Sequence, residues 1–328
     1  MTDARFDILT VVFMAELPLL ELQARSMARH LPPALVGRIM VVPNDWDEAG
    51  CIAGIERLRA HYGPLADKLD ILRPDTLVAQ HPRHLRGLYL RHLRGRLRRL
   101  LPRRDRLAGG WRGNSGWAMQ QAFKLLGLRA ATAPYVLLLD AKNHFLRPVA
   151  AADFVAADGR ARSRRVEMSA LQRGWLAASA RKLGVAVPAD APPTVTPVVI
   201  ARAPAQAAVA RLDARLGPLE EVFALDKGKA TEFMLLYLAV EMDPPGWWAQ
   251  FAEGLPAALT VFGSGDDPDI AAALSQAGAD NPLLFGLHRR ALWRARATRQ
   301  RLGAFFVDHG LFGQAAEAEA FLAGVRAQ

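Results

Sequence analysis

Residues 135–139 read Tyr-Val-Leu-Leu-Leu and end in Asp140. Five apolar residues in a row leave no polar face, so a strand built from them needs cover on both sides. Phe6 to Phe13 (FDILTVVF) has the same apolar, β-branched character, and residues 38–43 (RIMVVP) form a second short run that ends in Asn44-Asp45. Between them, residues 16–31 place Leu19, Leu20, Met27 and Leu31 at helical spacing, with Pro18 in the first turn, where proline is tolerated. Strand, helix and strand with short connections predict a right-handed βαβ opening and an α/β fold. Ligand chemistry in open α/β sheets gathers at the C-terminal strand ends, which singles out Asp140.

Further elements follow from the same patterns. Residues 69–72 predict a short strand, Trp117 to Arg129 a helix, 195–201 and 258–262 strands, and 230–240 a helix. The tail reads as helical from Asp269, broken near 280 and again near 303. The Ala-Pro stretch at 186–193 is a loop, and no internal repeat is present.

Charge adds one constraint. The chain carries 42 Lys and Arg against 32 Asp and Glu, a formal net charge of +10. Residues 83–106 hold ten arginines and a single acid, Asp105, so nearly all of that charge lies in one segment and the rest is close to neutral. Leu85, Leu88, Tyr89, Leu93, Leu97 and Leu100 recur there every three to four residues, which predicts a basic amphipathic helix or helical pair. A generally basic, ribosomal character is not implied. The 51% apolar content excludes a disordered chain, and one cysteine, Cys51, excludes a disulfide framework or a cysteine-rich zinc site. No run reaches the ~18 apolar residues of a membrane span, and Asp3, Asp7 and Glu16 around the first apolar run argue against a signal peptide. A cytoplasmic protein is expected, with peripheral attachment to the inner membrane face as an option.

The strongest local pattern is Gly116-Trp117-Ala118-Met119-Gln120-Gln121-Ala122-Phe123-Lys124-Leu125, followed by the Asp140 strand and Ala141-Lys142-Asn143-His144-Phe145-Leu146-Arg147-Pro148. With Thr196-Pro197, Thr231-Glu232-Phe233 and His288-Arg289, this resembles an uncharacterised bacterial family assigned to the GT-A nucleotide-diphosphosugar transferase fold. The resemblance spans roughly residues 6–290. It implies a Rossmann-type three-layer sandwich with a mixed, mostly parallel central sheet and a basic helical insertion at about 80–108. It implies a single catalytic domain over 1–290, with 291–328 a helical extension packed on it. It also implies sugar transfer from a nucleotide-diphosphate donor to a glycan or lipid-linked acceptor, in bacterial surface polysaccharide synthesis.

Many GT-A enzymes hold a divalent Mn or Mg ion against the diphosphate with two acids at a strand end. Asp140 takes the first position, but Lys142 stands where the second acid is expected, and an ammonium cannot ligate a metal. Lys142 can itself offset diphosphate charge, or Asp140, Asn143 and His288 can hold a hydrated ion; both readings stand. Glu232 is the candidate base for the acceptor hydroxyl, against a plain first-turn Glu with Thr231 as cap.

The other candidates also have two readings each. Gln120, Gln121 and Lys124 share a mostly apolar helix with Trp117 and suit a ligand, or an exposed face. Asn44 and Asp45 suit a nucleobase or ribose, or a turn. His144 suits the site, or a packed position beside Phe145. Trp247-Trp248 suits a sugar face, or loop packing. Dinucleotide, Walker and nucleophile-elbow motifs are absent. A different class of function, binding of nucleic acid or an anionic surface without catalysis, rests on 83–106 alone. Nucleic acid is disfavoured there because stacking aromatics are missing beyond Tyr89. An anionic membrane surface fits the basic helix.

Overall fold

A computed structural model describes residues 4–78, 109–225 and 230–325. The arginine-rich segment 83–106, and with it the expected basic helix, lies outside the described residues. Ten strands are described: β1 (Phe6–Val12), β2 (Val36–Pro43), β3 (Leu69–Ile71), β4 (Tyr135–Asp140), β5 (Asn143–Phe145), β6 (Ala161–Ser163), β7 (Val198–Ala201), β8 (Phe251–Glu253), β9 (Ala258–Val261) and β10 (Leu284–Leu287). The central sheet has the order β3-β2-β1-β4-β7, parallel except for β7 at its edge. This is the mixed, mostly parallel α/β sheet expected, and β1 is buried along its whole length.

Asp7 lies inside this apolar strand because the backbone satisfies it. Its carboxylate accepts from the N–H groups of Arg38 and Ala133, each at 2.9 Å, and so ties together the entry ends of β1, β2 and β4. The Leu17–His30 helix covers one face with Leu19, Leu20, Leu22 and Met27, with Pro18 in its first turn. The Gly116–Leu128 helix packs against β1 and starts at Ser115, whose hydroxyl accepts from Ala118 N–H at 3.4 Å. Its residues from Ala118 to Leu128 are buried, Gln120 excepted, so it sits in the core rather than on the surface.

A second sheet, β5-β10-β9, continues directly from the Asp140 turn. The sequence pattern does not separate β10 from the helical tail, because a four-residue apolar run is too short to show a period. The Asp267–Asp280 helix ends at Asn281 in the left-handed region (φ 43°), and β10 follows. The first break falls where expected, but the second moves. The Arg299–Asp308 helix runs through Gly303, which faces Ala318 of the Ala315–Gly324 helix, and the break falls at 309–314. These last helices are anchored on the first one. Arg25 pairs with Glu317 at 2.8 Å, and His30 Nε2 donates to the His309 carbonyl at 3.0 Å. Among the described residues, no helix is long and apolar enough to cross a membrane.

Candidate active site

From β1 the chain proceeds outward to β2 and β3, while β4 lies on the other side of β1. The C-terminal ends of β1 and β4 therefore flank the point where strand order reverses, where open α/β sheets bind ligands. Val11 of β1 is in register with Asp140 of β4. A pocket of about 240 Å³ opens there. Trp117, Gln120, Gln121, Lys124, Asp140, Lys142, Glu232 and His288, all singled out by the sequence, line it. The structure thus gathers four separate stretches of chain at one place.

Lys124 is the hub. Its ammonium lies 2.7 Å from Asp140 Oδ1 and 3.1 Å from Glu232 Oε1, with only 5% of the side chain exposed. It also stands 4.8 Å above the Phe233 ring. Burial opposes its charge, but Asp140 and Glu232 outweigh that and hold the ammonium above the ordinary lysine range. Lys142 closes on the other oxygen, Asp140 Oδ2. Burial likewise works against the Asp140 carboxylate, yet Lys124 and Lys142 hold it well below the ordinary carboxylate range. Gln120 Nε2 reaches Asp140 Oδ1 at 3.4 Å, and Gln121 Oε1 accepts from Glu232 N–H at 3.3 Å. The glutamine pair therefore serves the two acids rather than an exposed face. Trp117 stands at the rim, 57% exposed.

Five expected contacts lie elsewhere. Asn44 is fully buried. Its amide donates to the Gly116 carbonyl at 2.7 Å and its oxygen accepts from Trp111 N–H at 3.0 Å, so it braces the loop before the Gln-Gln helix. Asp45 accepts from the N–H groups of Met14 and Asp47, each at 2.9 Å, which is the turn reading. Asn143 turns inward: its oxygen accepts from Asp140 N–H at 3.0 Å and from Thr196 Oγ1 at 2.6 Å. His144 is fully buried between Phe285 and Phe306, with no hydrogen-bond partner for either ring nitrogen among the described residues. Burial, then His309, pushes its pKa down to about 3. Trp247 stacks on Phe251 (3.9 Å, 8°), so that tryptophan packs its loop.

At this turn the oxygens that could ligate an ion already have partners. The Asp140 oxygens face two ammonium groups, and the Asn143 oxygen is already held twice. His288 Nδ1 accepts from Arg290 N–H at 3.2 Å. Burial, then Lys142, pushes the His288 pKa down to about 4. Among the described residues, no group of three or more His, Cys, Asp or Glu is placed to hold a metal.

The pocket also contains residues that the sequence did not single out for the site. Glu16 follows β1, Trp175 comes from the Ala170–Leu183 helix, and Thr194 and Thr231 complete the wall. Thr231 begins the Glu232–Glu241 helix but makes no side-chain cap; its buried hydroxyl has no partner among the described residues. Beneath the floor, Gln23 donates to the carbonyls of Asp140 (2.8 Å) and Asn143 (3.1 Å) and fixes the turn. Its place in the turn that follows β1 was the available signal for Glu16. Nothing local marks Trp175 or Gln23, which reach the site only through tertiary packing.

Sheet order, the acid at the end of β4 and the pocket at the reversal point define a glycosyltransferase-like GT-A fold. The WbbM bifunctional glycosyltransferase is similar to this chain at 11% identity and a TM-score of 0.52, over 98% of this chain and 52% of that one. The chain thus spans about half the length of that relative. The galactosyltransferase LgtC, solved with donor and acceptor sugar analogues, aligns at 11% identity and a TM-score of 0.46 (94% of this chain, 97% of that one). The glycosyltransferase GlyE of Streptococcus pneumoniae TIGR4 aligns at 11% and 0.43 (98% and 64%). Residues 100–247 match the sequence model of a family of unknown function, DUF6492. No curated protein matches the chain.

Proposed function

We propose that this pocket binds a nucleotide-diphosphate sugar and transfers the sugar to a hydroxyl of a glycan or lipid-linked acceptor, in bacterial surface polysaccharide synthesis. The observation that carries this reading is the pair of ammonium groups, Lys124 and Lys142, held on Asp140 at the strand-order reversal of a GT-A-like sheet. Breaking the glycosidic bond builds negative charge on the departing diphosphate, and preorganised cations in a partly buried site stabilise it. Lys142 occupies the place of the second acid and supplies that charge with Lys124, so transfer proceeds without a divalent metal. Asp140 positions both lysines. Trp117 and Trp175 offer aromatic faces for the sugar or base. Glu232, within reach of the pocket, takes the acceptor proton. The 83–106 segment supplies cationic contacts to an anionic membrane surface, at the inner face of the membrane.

The test is a thermal-shift panel of UDP-, GDP- and CMP-sugars, each with EDTA and with manganese. A ligand at 100 times its Kd stabilises by about 2.7 kcal/mol, a shift of several degrees. At least one donor is expected to shift the melting temperature in EDTA, and the Lys142→Ala variant to lose that shift. No shift with any donor refutes the reading.

A further inference from the structure

Three carboxylates face the pocket, and they differ in how they are held. Asp140 is clamped by two ammonium groups, and Glu232 is bound to Lys124 at 3.1 Å. Glu16 makes no side-chain hydrogen bond or ion pair with any described residue, although it lines the same pocket. It follows β1, whose end is in register with Asp140 at the end of β4, and shares the pocket wall with Lys142. The charged groups acting on it are Asp140 and Lys142 from the β4 turn, Arg289 from the chain after β10 and Lys124 from the Gln-Gln helix. The Cys51 thiol lies close enough to feel its charge.

We propose that Glu16 works as the protonated acid of the site and donates to the departing diphosphate, a role that rests on the donor reading above. A carboxylate at this position repels a diphosphate seated on Lys142, whereas a carboxylic acid adds a hydrogen-bond donor to it. The step balances. The bond from the anomeric carbon to the diphosphate oxygen breaks, with its electron pair going to that oxygen. A phosphate oxygen takes the Glu16 proton. The acceptor oxygen bonds to the anomeric carbon, and its proton passes to Glu232. Burial, reinforced by Asp140, raises the Glu16 pKa to about 7 and so keeps the proton in place near neutral pH. Asp140 is driven in the opposite direction, and such divergence separates an acid from an ionised carboxylate within one site.

The experiment uses water as acceptor and measures nucleotide release from UDP-glucose, UDP-galactose and GDP-mannose between pH 5 and 9, with UDP and GDP binding measured in parallel. An acid that must carry its proton gives a rate that falls as pH rises through about 7. Glu16→Gln keeps a hydrogen-bond donor but has no proton to give. It is expected to bind UDP or GDP as the wild type does, to release nucleotide about 100-fold more slowly and to lose the alkaline fall. Glu16→Asp is expected to restore part of the rate and the fall. A Glu16→Gln variant with wild-type rate and an unchanged alkaline fall overturns the assignment while leaving donor binding intact. If the wild type neither binds UDP or GDP nor releases nucleotide from any of the donors, the donor reading itself fails, and this role with it.

Discussion

Replacing Lys124 by methionine removes the centre of the charge network while keeping most of the side-chain volume. Asp140 retains Lys142, so the group left without its counter-ion is Glu232, whose side chain is only 9% exposed. Removing one partner of a buried pair costs about 3–5 kcal/mol, and the surviving Lys142 places this variant near 3. With a urea m-value of about 3 kcal/mol/M for a chain of this size, the midpoint falls by about 1 M. The pH dependence carries a sign. Asp140 is held below its ordinary pKa, so its contribution is present above about pH 4 and is lost as pH falls further. Lys124 is held above its ordinary pKa, so its contribution is present below about pH 10 and is lost at higher pH. Between pH 5 and 9 the contribution of the Lys124–Asp140 pair is therefore flat. The double variant Lys124→Met with Glu232→Gln recovers most of the loss. An unchanged midpoint refutes the hub role.

Other consequences are checked in the same way. Asn44→Ala leaves the Trp111 N–H without its partner and removes one donor from the Gly116 carbonyl, so it is expected to lower stability by about 2 kcal/mol in urea titration, with the loss in folding rather than in direct nucleotide contact. Gly110→Ala places a Cβ 2.6 Å from the Gly116 Cα and 2.9 Å from the Asn114 carbonyl, backbone that cannot swing aside; a loss of more than about 2 kcal/mol is expected on thermal melting. Thr231→Val removes a buried hydroxyl that has no partner among the described residues, so stability is expected to hold or rise by up to about 1 kcal/mol, while donor or acceptor affinity falls in calorimetry.

The layout of the site was legible wherever a local pattern had a physical cause. The β4 run had to be a doubly covered strand, which put Asp140 at its end. The glutamines and Lys124 stood out because polar residues in an apolar helix need partners, and those partners are Asp140 and Glu232. The open readings share a reason as well. Asn44, Asp45 and Asn143 are residues that satisfy either backbone or ligand, and composition cannot distinguish the two; each satisfies backbone or a neighbouring hydroxyl. β10 was hidden by its four-residue length. Glu16 carried no local signal as a site residue beyond its place after β1; the order of strands places it beside Asp140 in one pocket.

The central claim is that ammonium groups, rather than a metal, meet the diphosphate. Isothermal titration of UDP and GDP in EDTA, on the wild type and on Lys142→Ala, tests it most directly. Binding in EDTA that manganese does not strengthen, and that Lys142→Ala weakens at least tenfold, is the expected result. Binding that appears only with manganese and is indifferent to Lys142 contradicts it.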